Sequence, residues 1–294
     1  MTEESFPALT WNQRRLTGRQ GARWPLPETY AFKGRAIRWG CIGEGPPVVL
    51  FHGTPFSSFE WNRVASHLAR THTVYYYDMP GYGASEKRAG EDVSLGVQNA
   101  VAAALFAHWG LDRPDVVAHD FGGATALRAH LLDGLEYRTL TLIDPVALAP
   151  WGSPLVRHVR EHEAAFAGMP GYMHDAILAA YLQTAMHRAA TPDVLAPYMA
   201  PWQGEGQAAF YRQIAAMDQR FTDEVEPRYG EVRCPVQILW GEEDRWLPIA
   251  QGRELARRIP GAAFHPVPDS GHLIQEDAPE AIVAHVLAFL GGGA

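Results

Sequence analysis

Short apolar runs rich in β-branched and aromatic residues alternate with longer helical patterns along most of the chain, and this alternation restricts the fold more than any other feature. The runs are Val48-Val49-Leu50-Phe51, Thr73-Val74-Tyr75-Tyr76-Tyr77, Val116-Val117-Ala118, Leu140-Thr141-Leu142-Ile143, Val236-Gln237-Ile238-Leu239-Trp240 and, more weakly, Ala263-Phe264-His265-Pro266-Val267. Each leads into a polar or Gly/Pro-containing turn, and most into a helical stretch such as Val93 to Trp109 or Ile249 to Ile259. Strands joined by helical crossovers pair in parallel, so the expected class is α/β, a mostly parallel central sheet flanked by helices. Such a sheet presents its functional residues at the C-terminal ends of the strands. Between about Pro150 and Glu226 the alternation stops, and helical stretches rich in Ala, His, Met, Trp and Tyr are broken by Pro170, Pro192, Pro197 and Pro201. The chain therefore divides into a first part of the core over 1–149, a helical cap over 150–225 and a second part of the core over 226–294. The cap begins after one strand and ends before the next, which places it over the catalytic edge.

Composition narrows the function classes. With 294 residues, 47% of them hydrophobic and 20% charged, the chain suits a folded protein with a sizeable core. Lys and Arg number 25 against 33 Asp and Glu, a net charge of −8, so no global field draws nucleic acid. No run approaches the roughly 18 apolar residues that cross a bilayer, and Met1 to Arg23 has no apolar core ahead of a cleavage site; a cytoplasmic protein without membrane contact is expected. Cys41 and Cys234 lie far apart and outside any C-x-x-C, which suggests buried free thiols. Neither a phosphate loop nor a dinucleotide fingerprint appears, and His158 and His162, four residues apart on a helix, lack a third ligand. No cofactor and no metal are expected. Gly291 to Ala294 reads as a frayed tail.

The segment Val116-Val117-Ala118-His119-Asp120-Phe121-Gly122-Gly123-Ala124 runs from strand to small residues to a helical pattern ending near Leu132. Ala118, Gly122 and Gly123 flank Asp120 at the positions where side chains clash if the backbone turns tightly enough to thrust residue 120 outward. The alternative is an ordinary strand followed by an Asp capping a helix. Further short motifs sit past other strands: His52-Gly53-Thr54-Pro55, Gly81-Tyr82-Gly83 between Asp78 and Ser85, Gly241-Glu242-Glu243-Asp244, and Gly271-His272. Asp120, Asp244 and His272 follow one another in the order nucleophile, acid, histidine.

On these motifs, over roughly residues 30 to 290, the chain resembles the α/β-hydrolase superfamily and, within it, the branch with an aspartate nucleophile: epoxide hydrolases, haloalkane dehalogenases and haloacetate dehalogenases. The resemblance implies an α/β-hydrolase fold, with Asp120 attacking an sp³ carbon to form an alkyl-enzyme ester. A carboxylate is already ionised at neutral pH and needs no base for this step. His272 would then activate a water against the ester, with Asp244 orienting the imidazole. The oxyanion hole would be the N–H groups of Thr54 and Phe121. Asp144, after the strand ending at Ile143, is the second choice for the triad acid; Glu242 and Glu243 fit the G-x-x-D pattern less well. The position of His52 supports the oxyanion loop, and His119 has a packing or hydrogen-bonding role.

What stabilises the leaving atom separates the reactions. Haloalkane dehalogenases use a Trp N–H beside the nucleophile and a second donor, often Asn, in the H-G-x-P loop; here Phe121 and Thr54 stand there. Haloacetate dehalogenases carry Arg where this chain has Phe121 and Ala124. Epoxide hydrolases supply a proton to the ring oxygen from two cap tyrosines, and Tyr181 and Tyr211 lie in segments similar to theirs, with Tyr172 and Tyr198 in reserve. Phe121 and Thr54 depart from the epoxide hydrolase pattern too, which has Trp and a bulky residue there. Opening of a small hydrophobic epoxide is the leading expectation. A dehalogenase with an unconventional halide site, including Trp151 or Trp202, and a non-catalytic binding protein on a hydrolase fold are the alternatives. The partners implied are a small hydrophobic substrate and water, in a monomer or homodimer. Trp151, Phe166, Met169, Met173, Met186, Met199, Trp202 and Phe210 supply apolar material for the cap, as cavity wall or as plain core.

Overall fold

A computed structural model describes residues 24–292. The N-terminal stretch 1–23, in which no leader was expected, and residues 293–294 of the tail lie outside the described residues. Eight strands form one sheet in the order β1-β2-β4-β3-β5-β6-β7-β8. These are β1 (Glu28–Phe32), β2 (Arg35–Ile42), β3 (Pro47–Phe51), β4 (Thr73–Tyr77), β5 (Asp115–His119), β6 (Leu140–Ile143), β7 (Val236–Gly241) and β8 (Ala263–Val267). From β4 to β8 across the sheet every pairing is parallel, whereas β1 and β2 pair antiparallel with each other and β2 antiparallel with β4. This is the α/β-hydrolase fold, a mostly parallel sheet flanked by helices.

Each apolar run expected to be a strand is one; β3, β5, β6 and β7 are covered on both faces, whereas the weaker run of β8 lies at the sheet's edge with only Val267 buried. Val49, Phe51, Val116 and Ala118 pack into one core and Val48, Leu50, Val117 and Ile143 into the other. A strand buried on both sides reads as an unbroken apolar run. The hairpin β1–β2 was not expected, since its strands mix polar and apolar residues at the sheet's edge. Lys33 and Gly34 form its two-residue turn with φ of 49° and 80°, the geometry a tight hairpin requires.

The helices Pro154–Ala167, Gly171–Thr184, Pro192–Met199, Gly206–Ala215 and Arg220–Asp223 all fall between β6 and β7. They rest on the loops beyond the strands: Trp202 Nε1 donates to the carbonyl of Pro55 at 2.6 Å. Asp277 ties the other side of this layer down. Its Oδ2 accepts from the N–H of Gly271 (2.9 Å) and of His187 (2.8 Å), its Oδ1 from that of Arg188 (3.2 Å), and Leu273 N–H donates to Ala185.

Two expectations need correction. Cys234 is buried, but Cys41 is exposed, because it lies on β2 near the sheet's antiparallel edge. Gly291 is not frayed; it completes the helix Pro279–Gly291, anchored by buried Ile282, Val286 and Leu290. Among the described residues no helix is long and apolar enough to cross a membrane.

Candidate active site

The turn after β5 is as tight as its small residues suggested. Asp120 adopts φ 49° and ψ −117°, a strained conformation for any residue but glycine, and the helix Phe121–Leu132 starts directly after it. A Cβ on Gly122 would lie 2.5 Å from the carbonyl oxygen of Phe51 and 2.7 Å from that of His52. The turn thus presses against the end of β3, and only glycine fits. The resulting strand–elbow–helix projects the Asp120 side chain past the sheet.

Three sequence-distant groups meet at this carboxylate. His272 Nε2 lies 3.2 Å from Asp120 Oδ2, and its Nδ1 lies 2.8 Å from Asp244 Oδ2. Thr54 N–H donates to Asp120 Oδ1 at 2.7 Å. Phe121 is the first residue of its helix, so its N–H has no intrahelical acceptor. The loop carrying Thr54 is held by His52, whose Nε2 accepts from Met79 N–H at 2.9 Å while Nδ1 contacts the Gly53 carbonyl at 2.8 Å. Asp78 holds the neighbouring turn: it accepts from Ser58 N–H (2.8 Å) and Ala84 N–H (2.6 Å), and a Cβ on Gly83 would fall 2.0 Å from its Oδ2.

The charge states follow from burial and these contacts. Burial alone would raise the Asp120 carboxyl, but the His272 hydrogen bond and charge, the charge of His119 and the Thr54 N–H outweigh it and hold the group below its usual value. Burial alone would lower His272; the charges and hydrogen bonds of Asp244 and Asp120 reverse this and raise it well above an ordinary histidine. Both shifts favour a proton on His272, between Asp120 and Asp244.

Both candidate triad acids lie close to His272, in different roles. Asp244 makes the bond to Nδ1, and its Oδ1 is fixed by the N–H groups of Trp246 (2.7 Å) and Leu247 (3.0 Å). Asp144 has φ 39° and accepts from Gly241 N–H at 2.9 Å, while its Oδ2 is buried without a hydrogen-bond partner. Ligand atoms of Asp144, Asp244 and His272 lie within 4.8 Å of one another. Burial and the neighbouring charge of Asp244 push Asp144 well above the usual carboxylate range.

A narrow cavity opens over Asp120, lined among others by Thr54, Phe121, Val146, Trp151, Tyr181 and Trp246. Its volume is about 40 Å³, room for a few waters or a short substrate. Of the two cap tyrosines singled out in the sequence, only Tyr181 lines it. The Tyr181 ring stacks on Trp246 with centroids 4.6 Å apart, and Trp246 in turn lies 4.9 Å from the His272 ring. Burial and the charge of Asp120 keep the Tyr181 phenol protonated. Tyr211 is not brought to the cavity: its hydroxyl lies 3.0 Å from His174 Nδ1 and 3.7 Å from Met169 Sδ, inside the cap. The residue its helix turns toward the site is Gln213, whose Oε1 lies 2.5 Å from Thr54 Oγ1 and 3.1 Å from the Tyr82 hydroxyl.

The tryptophans considered for a halide site have their N–H groups engaged elsewhere. Trp151 donates to Thr222 Oγ1 at 2.9 Å and Trp202 to the Pro55 carbonyl, and Trp246 donates to Thr184 Oγ1 at 2.8 Å. Sequence reasoning missed Trp246, Tyr82 and Gln213. For Trp246 the signal was its place two residues after Asp244; for Gln213 there was none beyond a polar residue on an apolar helix face.

A strand-elbow carboxylate, a histidine from a late loop and an acid after the penultimate strand define an α/β hydrolase, and the family model agrees. The chain belongs to the alpha/beta hydrolase family, whose model matches residues 48–285. It is 55% identical to an alpha/beta hydrolase fold protein from Burkholderia ambifaria, whose structure superposes with a TM-score of 0.88 over 90% of this chain and 98% of that one. It is similar at 21% identity to the structure of the epoxide hydrolase CorEH, with a TM-score of 0.73 over 90% of this chain and 98% of that one. In sequence it is 26% identical to haloalkane dehalogenase 2 of Mycobacterium bovis, over 91% of this chain and 98% of the relative.

Proposed function

We propose that this hydrolase opens small hydrophobic epoxides to diols through an ester on Asp120. The observation that carries this reading is that an ionised carboxylate and a protonated phenol, Asp120 and Tyr181, face one narrow cavity with an imidazole behind them. Asp120 Oδ2 attacks a ring carbon, the carbon–oxygen bond breaks, and the ring oxygen takes the Tyr181 proton. Oδ1, already on the Thr54 N–H, becomes the ester carbonyl.

Esterification changes the base. It removes the charge and hydrogen bond of Asp120 that helped raise His272, so the imidazolium gives up its proton, which restores the phenol. Neutral His272 then deprotonates a water that attacks the ester carbon, and the oxyanion rests on the N–H groups of Thr54 and Phe121. Collapse expels the alkoxide, which takes the proton held by His272. The acid left on residue 120 passes its own proton to the imidazole, and the starting ion pair returns.

The similarity to haloalkane dehalogenase 2 supports a carbon–halogen reaction as the second reading, but the N–H groups of Trp151, Trp202 and Trp246 are engaged elsewhere and do not offer themselves to a departing halide. Mass spectrometry of His272→Ala incubated with panels of epoxides and alkyl halides tests both. An adduct of epoxide mass on Asp120 is expected. Adducts and halide release from the halides alone would establish the second reading, and no adduct from either panel would leave a binding protein on a hydrolase fold.

A further inference from the structure

Behind the triad lies a second buried carboxylate and imidazole. Glu60 comes from the short helical turn Ser58–Arg63 and His119 is the last residue of β5; both are fully buried. The Glu60 carboxylate accepts the N–H of Gly53 (3.2 Å to Oε1, 3.3 Å to Oε2), and its Oε1 lies 3.1 Å from His119 Nδ1. His119 Nε2 lies 3.0 Å from the carbonyl oxygen of His272. One relay of side chains thus joins the residue before the Thr54 donor, the residue before Asp120 and the main chain of the base. Packing leaves this relay no slack, since a Cβ on Gly53 would sit 2.7 Å from His119 Nδ1 and 2.7 Å from Asp120 Cβ.

We propose that Glu60 and His119 are positioning residues acting as one charged unit, a carboxylate and an imidazolium that hold the oxyanion loop and the His272 loop in register with Asp120. The hydrogen-bond inventory favours the second ring proton. The carbonyl facing Nε2 only accepts, so Nε2 carries hydrogen, and one further proton lies between Nδ1 and Oε1; the Gly53 N–H facing both Glu60 oxygens favours the carboxylate and leaves that proton to the ring. The other groups around the ring are the His272 imidazole, with centroids 4.9 Å apart, the apolar Phe56 ring and the Asp120 carboxylate next in sequence. Buried ion pairs seldom stabilise a fold better than apolar residues of the same shape, so placing the loops is the better account of this one.

The proposal has a structural half and a kinetic half, and the kinetic half rests on the ester mechanism above. Nitrogen-15 NMR of the ring nitrogens reads the structural half without any substrate. In the wild-type protein at about pH 7, where a free histidine is mostly neutral, His119 is expected to carry hydrogen on both nitrogens. In Glu60→Gln, which keeps the shape and removes the charge, it is expected to revert to a neutral ring. A wild-type His119 ring with one bare nitrogen overturns the proposal whatever the variant does. For the kinetic half, a reactive epoxide should esterify Asp120 in Glu60→Gln at near the wild-type rate, with hydrolysis of the ester slowed about tenfold or more. Ester hydrolysis within about twofold of wild type, with His119 unchanged in NMR, also overturns it. Failure of any epoxide to label Asp120 would strike the mechanism and leave the NMR outcome standing.

Discussion

Replacing Asp244 by Asn tests the triad through a competition that the structure makes one-sided. Asp244 Oδ1 receives the N–H groups of Trp246 and Leu247, while Oδ2 faces His272 Nδ1. An Asn has one oxygen for these two sides. Turned toward the backbone it satisfies two donors, each worth about 1 kcal/mol net; turned toward the ring it satisfies one and aims its NH₂ at two buried N–H groups, at about 1–3 kcal/mol for each donor left unpaired. The oxygen therefore goes to the backbone and the NH₂ to Nδ1. The ring is then held with its hydrogen on Nε2, the wrong tautomer for taking a proton from water. In a protease triad the corresponding change costs about 10⁴ in rate, and here the loss falls on ester hydrolysis and spares ester formation. Asp144 softens the effect, because removing the Asp244 charge removes one cause of its raised value and favours its ionisation within 4.8 Å of His272, although burial still opposes it. Rapid-quench mass spectrometry should show the ester persisting in Asp244→Asn and persisting longer, by about 10³–10⁴ over wild type, in Asp144→Asn/Asp244→Asn. Ester hydrolysis within about tenfold of wild type in both variants would refute the reasoning.

Tyr181→Phe should slow epoxide opening about 10²–10³-fold in single-turnover kinetics, whereas Tyr211→Phe should change it little and instead lower stability by about 1 kcal/mol through the lost bond to His174. Equal kinetic losses in the two would contradict the placement of Tyr211 inside the cap. Gly122→Ala should cost about 1–3 kcal/mol in urea denaturation, because its methyl would meet the Phe51 carbonyl at 2.5 Å; an unchanged midpoint would show that the elbow yields. Because His272 is raised in the folded protein, its contribution to stability is complete below the ordinary value of about 6.5 and is lost as pH rises through its folded value. Thermal melts should therefore fall on the alkaline side, and His272→Gln should flatten that slope; an unaltered slope would assign it to other groups.

What could be read from the chain depended on how directly burial writes itself into local pattern. Strands β3 to β7, covered on both faces, leave apolar runs, and the elbow around Asp120 leaves its small residues, so the core and the order Asp120, Asp244, His272 were visible. The hairpin β1–β2, open at the sheet's edge, leaves only the Lys33-Gly34 turn. Tyr211 failed for a rotational reason: on an α-helix Tyr211 and Gln213 point about 200° apart, and sequence does not say which faces the cavity. Glu60 left no local sign either, since a glutamate in a loop reads as solvated until His119 and the Gly53 N–H are seen around it.

The clasp formed by Asp277 bears on how substrate arrives. Its carboxylate stitches His187 and Arg188 of the cap to Gly271, the residue before His272. Were the cap to swing open along that seam, each admission of substrate would drag His272 off its two carboxylates. Traffic is better served where half-buried Trp151, Gly152 and Ser153 border the cavity, away from the bonds of Asp277. That rim touches the site through the Trp151 ring, 5.6 Å from the Phe121 ring, and makes no hydrogen bond to the clasp that holds the His272 loop.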